Sequence, residues 1–132
     1  KLLVQRTEKA MYRGIEVLRD GVFLNEVGKT IEKYISKFGY GIVRDYTGHG
    51  IGRVFHEDPQ VLHYDTGHKG VRLSAGIILT VEPMVNLSSS GDTILDESDK
   101  WTVRTTDKAV SAQFEHTILI TKKGFEILTL DE

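Results

Sequence analysis

Residues 46–64 read YTGHGIGRVFHEDPQVLHY, and this stretch contains His49, His56 and His63, three of the five histidines in the chain. Three glycines at alternate positions and Pro59 oppose a continuous helix here, since an interior glycine costs about 1 kcal/mol and a proline about 3 kcal/mol. The stretch is therefore predicted to be a loop or an irregular strand. Glycine lets the backbone approach a ligand, and imidazole is the commonest metal-binding side chain. Together they indicate a metal or substrate site.

Three common motifs do not fit this stretch. A dinucleotide-binding G-x-G-x-x-G loop opens a helix, whereas these glycines lead to His56 and Pro59. A zincin H-E-x-x-H helix beginning at His56 would need a second histidine where Gln60 stands. The serine elbow G-x-S-x-G does not occur in the chain. What remains is a group of imidazoles whose further metal ligands must come from other segments.

Length and composition limit the class of protein. The 132 residues are expected to form a single domain, 1–132, with a real hydrophobic core. A net charge of -2 gives no reason to expect nucleic acid or an anionic membrane as partner. The chain has no cysteine, so a metal site would use His, Asp and Glu. No apolar run reaches the length of a membrane span, and we expect a cytoplasmic protein.

Hydrophobic periodicity predicts two helices followed by strands. The first helix is expected over Thr7–Asp20 with Gly21 as its stop, and the second from Asn25, as N-cap, to Lys37 with Gly39 beyond its end. A polar loop is expected over Leu87–Lys100. The predicted strands are Tyr40–Arg44, Ile77–Val85, Trp101–Arg104, Ser111–Thr121 and Phe125–Leu130. This order indicates the α+β class, with two helices followed by a mainly antiparallel sheet.

Two glutamates interrupt apolar strands. Glu82 lies within the run Ile77–Val85, and Glu115 lies within Ser111–Thr121. A buried carboxylate without a partner costs several kcal/mol or stays protonated, so a cation or a metal is expected beside it. Two carboxylates with a loop histidine would suit Mn, Fe, Co or Zn. The alternative, in which both glutamates are salt-bridged or face solvent, stays open at this stage.

Three segments, in this order and at comparable distances, resemble type I methionine aminopeptidases. They are GHGIGR with FHE in 48–57, VEPMV in 81–85 and SAQFEHT in 111–117. The resemblance covers practically the whole chain, but only the C-terminal half of that family's catalytic domain. It implies half of a pita-bread (creatinase/aminopeptidase) fold, in which two αβ halves surround two metal ions. It also implies a metalloaminopeptidase that removes N-terminal methionine from nascent proteins and peptides through metal-activated water.

The resemblance assigns roles to individual residues. The implied metal ligands are His49, Glu82 and Glu115. Glu82 would also be the general base, and His56 would contact the scissile amide. Phe55 and Trp101 would lie near the methionine side chain, although Trp101 could also belong to the core. Of the other histidines, His63 is expected to order the loop by hydrogen bonding, and His116 to point away from Glu115.

The family's two aspartate ligands lie upstream of Lys1. The intact family site holds two divalent ions, Co, Mn, Fe or Zn, and at most one would be well held here. We therefore expect the chain to need a missing N-terminal half, or a second copy of itself, in order to act. The alternative is an inactive truncated paralogue that binds peptides, the ribosome or another protein. A proline dipeptidase is a third possibility, but the QFEHT string favours the methionine aminopeptidase branch.

Overall fold

The computed structural model describes residues 1–130, and Asp131 and Glu132 lie outside the described residues. Two α-helices precede ten β-strands in these residues, and the strand pairs within the sheets are antiparallel. The predicted α+β order, with helices first and an antiparallel sheet after them, is therefore confirmed.

Helix α1 spans Leu2–Glu16. The predicted Thr7–Asp20 is wrong at both ends, because the buried stripe already begins one turn earlier, at Leu3. The Thr7 hydroxyl donates to the Leu3 carbonyl within that first turn, at 2.7 Å. Helical hydrogen bonding ends at Glu16, well before Gly21, whose positive φ of 88° instead serves the following turn.

Helix α2 spans Asn25–Ile35 and continues as a 3-10 turn over Ser36–Phe38. Asn25 is not the N-cap as predicted, because Leu24 occupies that position and makes no side-chain cap. The side-chain amide of Asn25 instead donates to the Asp65 carboxylate and accepts the backbone N–H of Thr66, in a distant loop. Gly39 ends the segment as predicted, with a left-handed φ of 69° that favours glycine.

The strands form three sheets rather than the single predicted sheet. The five-stranded sheet has the order β10-β9-β4-β2-β3, the three-stranded sheet β1-β5-β8, and β6 pairs only with β7. The strand bounds are β1 Gly41–Ile42, β2 Gly48–Ile51, β3 Glu57–Val61, β4 Ile78–Val81, β5 Met84–Asn86, β6 Thr93–Leu95, β7 Val103–Thr105, β8 Ser111–Gln113, β9 His116–Ile120 and β10 Phe125–Ile127. The histidine-rich stretch is thus an irregular pair of strands, β2 and β3, with a bulge between His49 and Gly50.

Both long predicted strands are broken in the middle. β4 ends before Glu82 and β5 begins after Pro83, because proline has no N–H to give to a ladder. The segment that pairs with these strands, 111–120, also breaks opposite this point. Val81 pairs with His116, and Met84 pairs with Gln113. The unpaired residues 82–83 and 114–115 form what we call the sheet junction, where the chain passes between two sheets.

The polar segment predicted as a loop over Leu87–Lys100 contains strand β6. Three residues of β6 pair with β7 in register, Thr93 with Thr105 and Leu95 with Val103. The predicted strand Trp101–Arg104 is accordingly displaced by one or two residues. Asp99 accepts the backbone N–H groups of Trp101 and Thr102 and so fixes the tight turn of this hairpin.

The core lies between the two helices on one side and the five-stranded and three-stranded sheets on the other. Its fully buried side chains come from both layers and include Met11, Ile15, Ile31, Leu79 and Ile118. Within residues 1–130, no helix combines the length and apolar character that a membrane span requires.

Candidate metal centre

His49, Glu82 and Glu115 meet at one place in the fold. Each offers a ligand atom, and these atoms all lie within 4.8 Å of one another. His49 comes from the bulge in β2, and the two glutamates come from opposite sides of the sheet junction. All three residues stand where regular strand pairing is interrupted, which turns their side chains towards a common point.

The ring of His49 is fixed by its Nδ1 atom, which lies 3.1 Å from the carbonyl oxygen of Gly50. A carbonyl oxygen only accepts hydrogen bonds, so Nδ1 must carry a proton, and in the neutral ring Nε2 then has the lone pair. Nε2 lies 3.5 Å from Oε1 of Glu82. A histidine held in this way, with one nitrogen bonded to a carbonyl, is oriented for metal binding through the other nitrogen.

Thr80 connects two of the candidate ligands. Its hydroxyl donates to Oε1 of Glu82 at 2.9 Å and accepts the backbone N–H of His49 at 3.0 Å. Burial raises the pKa of the Glu82 carboxyl, and the negative charge of Glu115 raises it further, while the Thr80 hydroxyl and His49 act in the opposite direction. Glu82 is therefore held in one orientation and accepts a proton more readily than an ordinary glutamate.

The donor set fits a divalent cation. An imidazole and two carboxylates converge, and among residues 1–130 the arginine ion pairs are made with Glu32 and Asp96 instead. In the described residues neither glutamate pairs with a lysine or an arginine, and the exposure of Glu115 agrees with the solvent-facing part of the alternative. One imidazole with two carboxylates is a set that suits Zn and the first-row transition metals.

Of the other histidines and aromatic residues singled out in the sequence, some lie beside His49 and others lie away from it. The ring of His56 lies 4.1 Å from that of His49, centroid to centroid, and Phe55 packs 4.5 Å from His56. Phe55 is 65% exposed and so is available to a ligand. Trp101 lies in the β6–β7 turn and is 85% exposed, which excludes a core role. His116 bonds to Tyr12 and Thr129, consistent with its predicted orientation away from Glu115.

Sequence reasoning missed three residues around Glu82. Thr80 bridges two ligands, as described above, and Gln113 donates to the Glu82 carbonyl at 3.2 Å. His63 was expected to order its own loop, but its Nε2 lies 3.1 Å from the backbone nitrogen of Glu82. Thr80 and Gln113 could have been suspected, because each is a polar residue close to a glutamate in a strand. Nothing in the sequence connects His63 with position 82.

The free energy of unfolding is expected to fall as the pH is lowered from 6.5 to about 4. Burial lowers the pKa of His63 from its ordinary value of 6.5 to about 4. In this window the unfolded chain binds the extra proton, so stability rises with pH by about 2 kcal/mol between pH 5 and pH 7. The raised pKa of Glu82 acts in the opposite sense and reduces the net slope.

Urea unfolding at pH 7 and pH 5 measures this effect. The matched variant is His63→Gln, which removes the titrating ring and keeps a polar side chain of similar length. We expect its stability to depend less on pH than that of the wild type. An equal dependence in both proteins would show that His63 is not the group responsible.

The fold and the cluster together define a class: an α+β protein with a candidate divalent-metal site between antiparallel sheets. Metallopeptidase family M24 matches this chain over residues 1–122. The chain belongs to that family, which implies the use of divalent metal ions.

Curated relatives are methionine aminopeptidases. The protein from Rickettsia prowazekii is 55% identical over 130 residues, which are 98% of this chain and 50% of that relative. The protein from Escherichia coli K12 is 46% identical over 128 residues, which are 97% of this chain and 48% of the relative. The chain therefore spans about half the length of the curated relatives it matches.

Solved structures agree with the sequence relatives. The methionine aminopeptidase of Rickettsia prowazekii superposes with a TM-score of 0.93 at 54% identity, covering 98% of this chain and 52% of that structure. A prolidase from Pyrococcus furiosus superposes with a TM-score of 0.70 at 26% identity, covering 99% of this chain and 32% of that structure. The predicted pita-bread fold and the resemblance to methionine aminopeptidases are both confirmed, and the proline dipeptidase branch is the more distant one.

Proposed function

We propose that the chain is the C-terminal half of a methionine aminopeptidase catalytic domain and that residues 1–132 fold as one domain. It would contribute half of the site that removes N-terminal methionine from peptides and nascent proteins. The observation that supports this most directly is the convergence of His49, Glu82 and Glu115, with ligand atoms within 4.8 Å of one another. The methionine aminopeptidase relatives supply the substrate class.

In this proposal the three converging residues hold the ion, which when bound would supply an acidified water as nucleophile. Glu82 would be the general base, a role favoured by its raised pKa, and the Thr80 hydroxyl on Oε1 holds its carboxylate in place. His56, beside His49, donates to the carbonyl oxygen of the scissile amide. The exposed rings of Phe55 and Trp101 offer apolar surface to the methionine side chain.

The cluster accounts for one ion at most, since it provides three protein ligands. In the proposal the remaining carboxylate ligands come from an N-terminal half or from a second copy of the chain. With only three ligands, binding of Co, Mn, Fe or Zn is expected to be weak but measurable.

The test is release of methionine from a Met-Ala-Ser peptide by the purified chain with added Co²⁺ or Mn²⁺. A thermal melt with and without the ion is recorded in parallel. We expect stabilisation by the ion, and turnover only when the N-terminal half of a relative is added as a separate polypeptide. An Ala-Ala-Ser peptide serves as the substrate control. Absence of both stabilisation and turnover would contradict the proposal.

A second candidate function is a peptide-, ribosome- or protein-binding module without turnover. The exposure of Glu115 and Phe55 favours it, because an open half-site offers contacts to a peptide or a protein. This candidate predicts that a labelled Met-Ala-Ser peptide binds, as measured by fluorescence anisotropy, and is recovered intact even in the reconstituted complex.

The chain alone is expected to self-associate. Large apolar side chains are exposed at Val54, Phe55, Ile94, Trp101 and Val110, and strands β3 and β10 are edges of the five-stranded sheet. Exposed apolar surface and open edges favour association in water. Sedimentation velocity should show dimers or larger species. A monodisperse monomer that unfolds cooperatively would contradict this expectation.

A further inference from the structure

The backbone of Glu82 is held by side chains rather than by a strand. Residue 82 lies in the sheet junction, where it has no ladder partner, yet both of its backbone groups are bonded. Its N–H donates to Nε2 of His63 at 3.1 Å, and its carbonyl accepts from Nε2 of Gln113 at 3.2 Å. His63 therefore takes the place of a neighbouring strand at a residue where the ladder is open.

The direction of this bond defines the state of His63. A backbone N–H only donates, so Nε2 must be unprotonated and the ring proton must lie on Nδ1. The side chain is 1% exposed, and among residues 1–130 its Nδ1 has no hydrogen-bond partner. A buried donor without a partner costs about 1–3 kcal/mol. The fold tolerates this cost while keeping the bond to Glu82.

The ring of His63 is anchored to the helical layer. Its chain neighbours Leu62 and Tyr64 press their backbone atoms against Gly28 of α2, where no Cβ intervenes. The guanidinium of Arg44 covers the ring of Tyr64 at 4.2 Å. The segment 62–64, which carries Nε2 of His63, is thus held by α2 and by Arg44.

We propose that His63 is a positioning residue for the metal centre: through Nε2 it fixes the backbone of Glu82 and hence the direction of the Glu82 carboxylate. A ligand must be held within about 0.5 Å of its productive place, and outer partners of ligands affect metal affinity by about 10–100-fold. Without this bond only Thr80 and Gln113 would hold the junction residue, and its carboxylate would turn away from His49 more easily. The inference rests on the proposed function, since it concerns the same centre.

The experiment compares His63→Gln with His63→Met in the full chain. The two side chains have the same length and are unbranched up to their third atom, but only glutamine offers an amide oxygen as acceptor near the position of Nε2. His63→Met removes the unpartnered Nδ1–H, whereas His63→Gln exchanges it for the N–H groups of its amide. Both variants are expected to fold. Mn²⁺ affinity is measured by calorimetry, and protection of the Glu82 amide by hydrogen exchange without metal.

We expect His63→Met to weaken Mn²⁺ binding by about 10–100-fold and to expose the Glu82 amide to exchange, with both properties largely recovered in His63→Gln. A folded His63→Met chain with wild-type Mn²⁺ affinity and a protected amide would overturn the inference. An equal loss in both variants would also overturn it, because the shape of the ring would then matter and not its acceptor. If the wild type binds no Mn²⁺, the proposed function fails, and amide exchange alone decides whether His63 positions Glu82.

Discussion

Replacing Glu82 by glutamine is expected to abolish the stabilisation of the chain by divalent metal. The substitution keeps the size of the side chain but removes one of two carboxylates that face the lone pair of His49. A ligand present at 100 times its dissociation constant stabilises a protein by about 2.7 kcal/mol, and this gain should vanish. Without metal the variant is expected to be as stable as the wild type or more so, because Glu82 is partly buried beside Glu115.

Thermal melts with and without Mn²⁺ measure the effect, and methionine release is followed in the reconstituted complex. The matched control is Glu126→Gln, an identical chemical change at an exposed position on β10. The control should keep the full response to metal. Metal-dependent stabilisation that survives in Glu82→Gln would mean that the ion binds elsewhere.

Replacing Gly28 by alanine is expected to destabilise the fold by about 3 kcal/mol or more. A Cβ at this position would lie 2.6 Å from the Leu62 carbonyl oxygen and 2.7 Å from the Tyr64 nitrogen, and closer still to the Tyr64 carbonyl oxygen. These are backbone atoms, which cannot rotate away. Alanine gains about 1 kcal/mol over glycine in a helix, and this gain is too small to offset the clash.

Urea unfolding measures the loss, and Gly124→Ala is the matched control, because its Cβ would meet nothing within 4 Å. Gly28 also sets the distance between α2 and the segment that carries His63. We therefore expect the residual folded fraction of Gly28→Ala to bind Mn²⁺ more weakly than the wild type. A Gly28→Ala chain as stable as the Gly124→Ala control would show that the helix moves away at little cost.

The sequence predicted the candidate metal ligands better than the residues that hold those ligands in place. His49, Glu82 and Glu115 could be selected because glycine-flanked imidazole and carboxylates within apolar strands are unusual, and because the motifs around them resemble a known family. The structure brings these three together. His63, by contrast, holds Glu82 through a contact between separate segments, and Thr80 connects Glu82 with His49 through a bond to another strand. Such contacts depend on register, which one residue's neighbours in sequence do not define.

The same division holds for the fold. Local properties alone determined the α+β order, the second helix with its glycine stop at Gly39, and the irregular course of the histidine-rich stretch. The tertiary structure alone decided that two predicted strands break opposite each other and that Leu87–Lys100 contains a strand. Glycine and proline act on their own backbone torsions, so their effects can be predicted from sequence. A strand exists only where a partner offers hydrogen bonds, so its limits, and with them the direction of the Glu82 carboxylate, are set by distant segments.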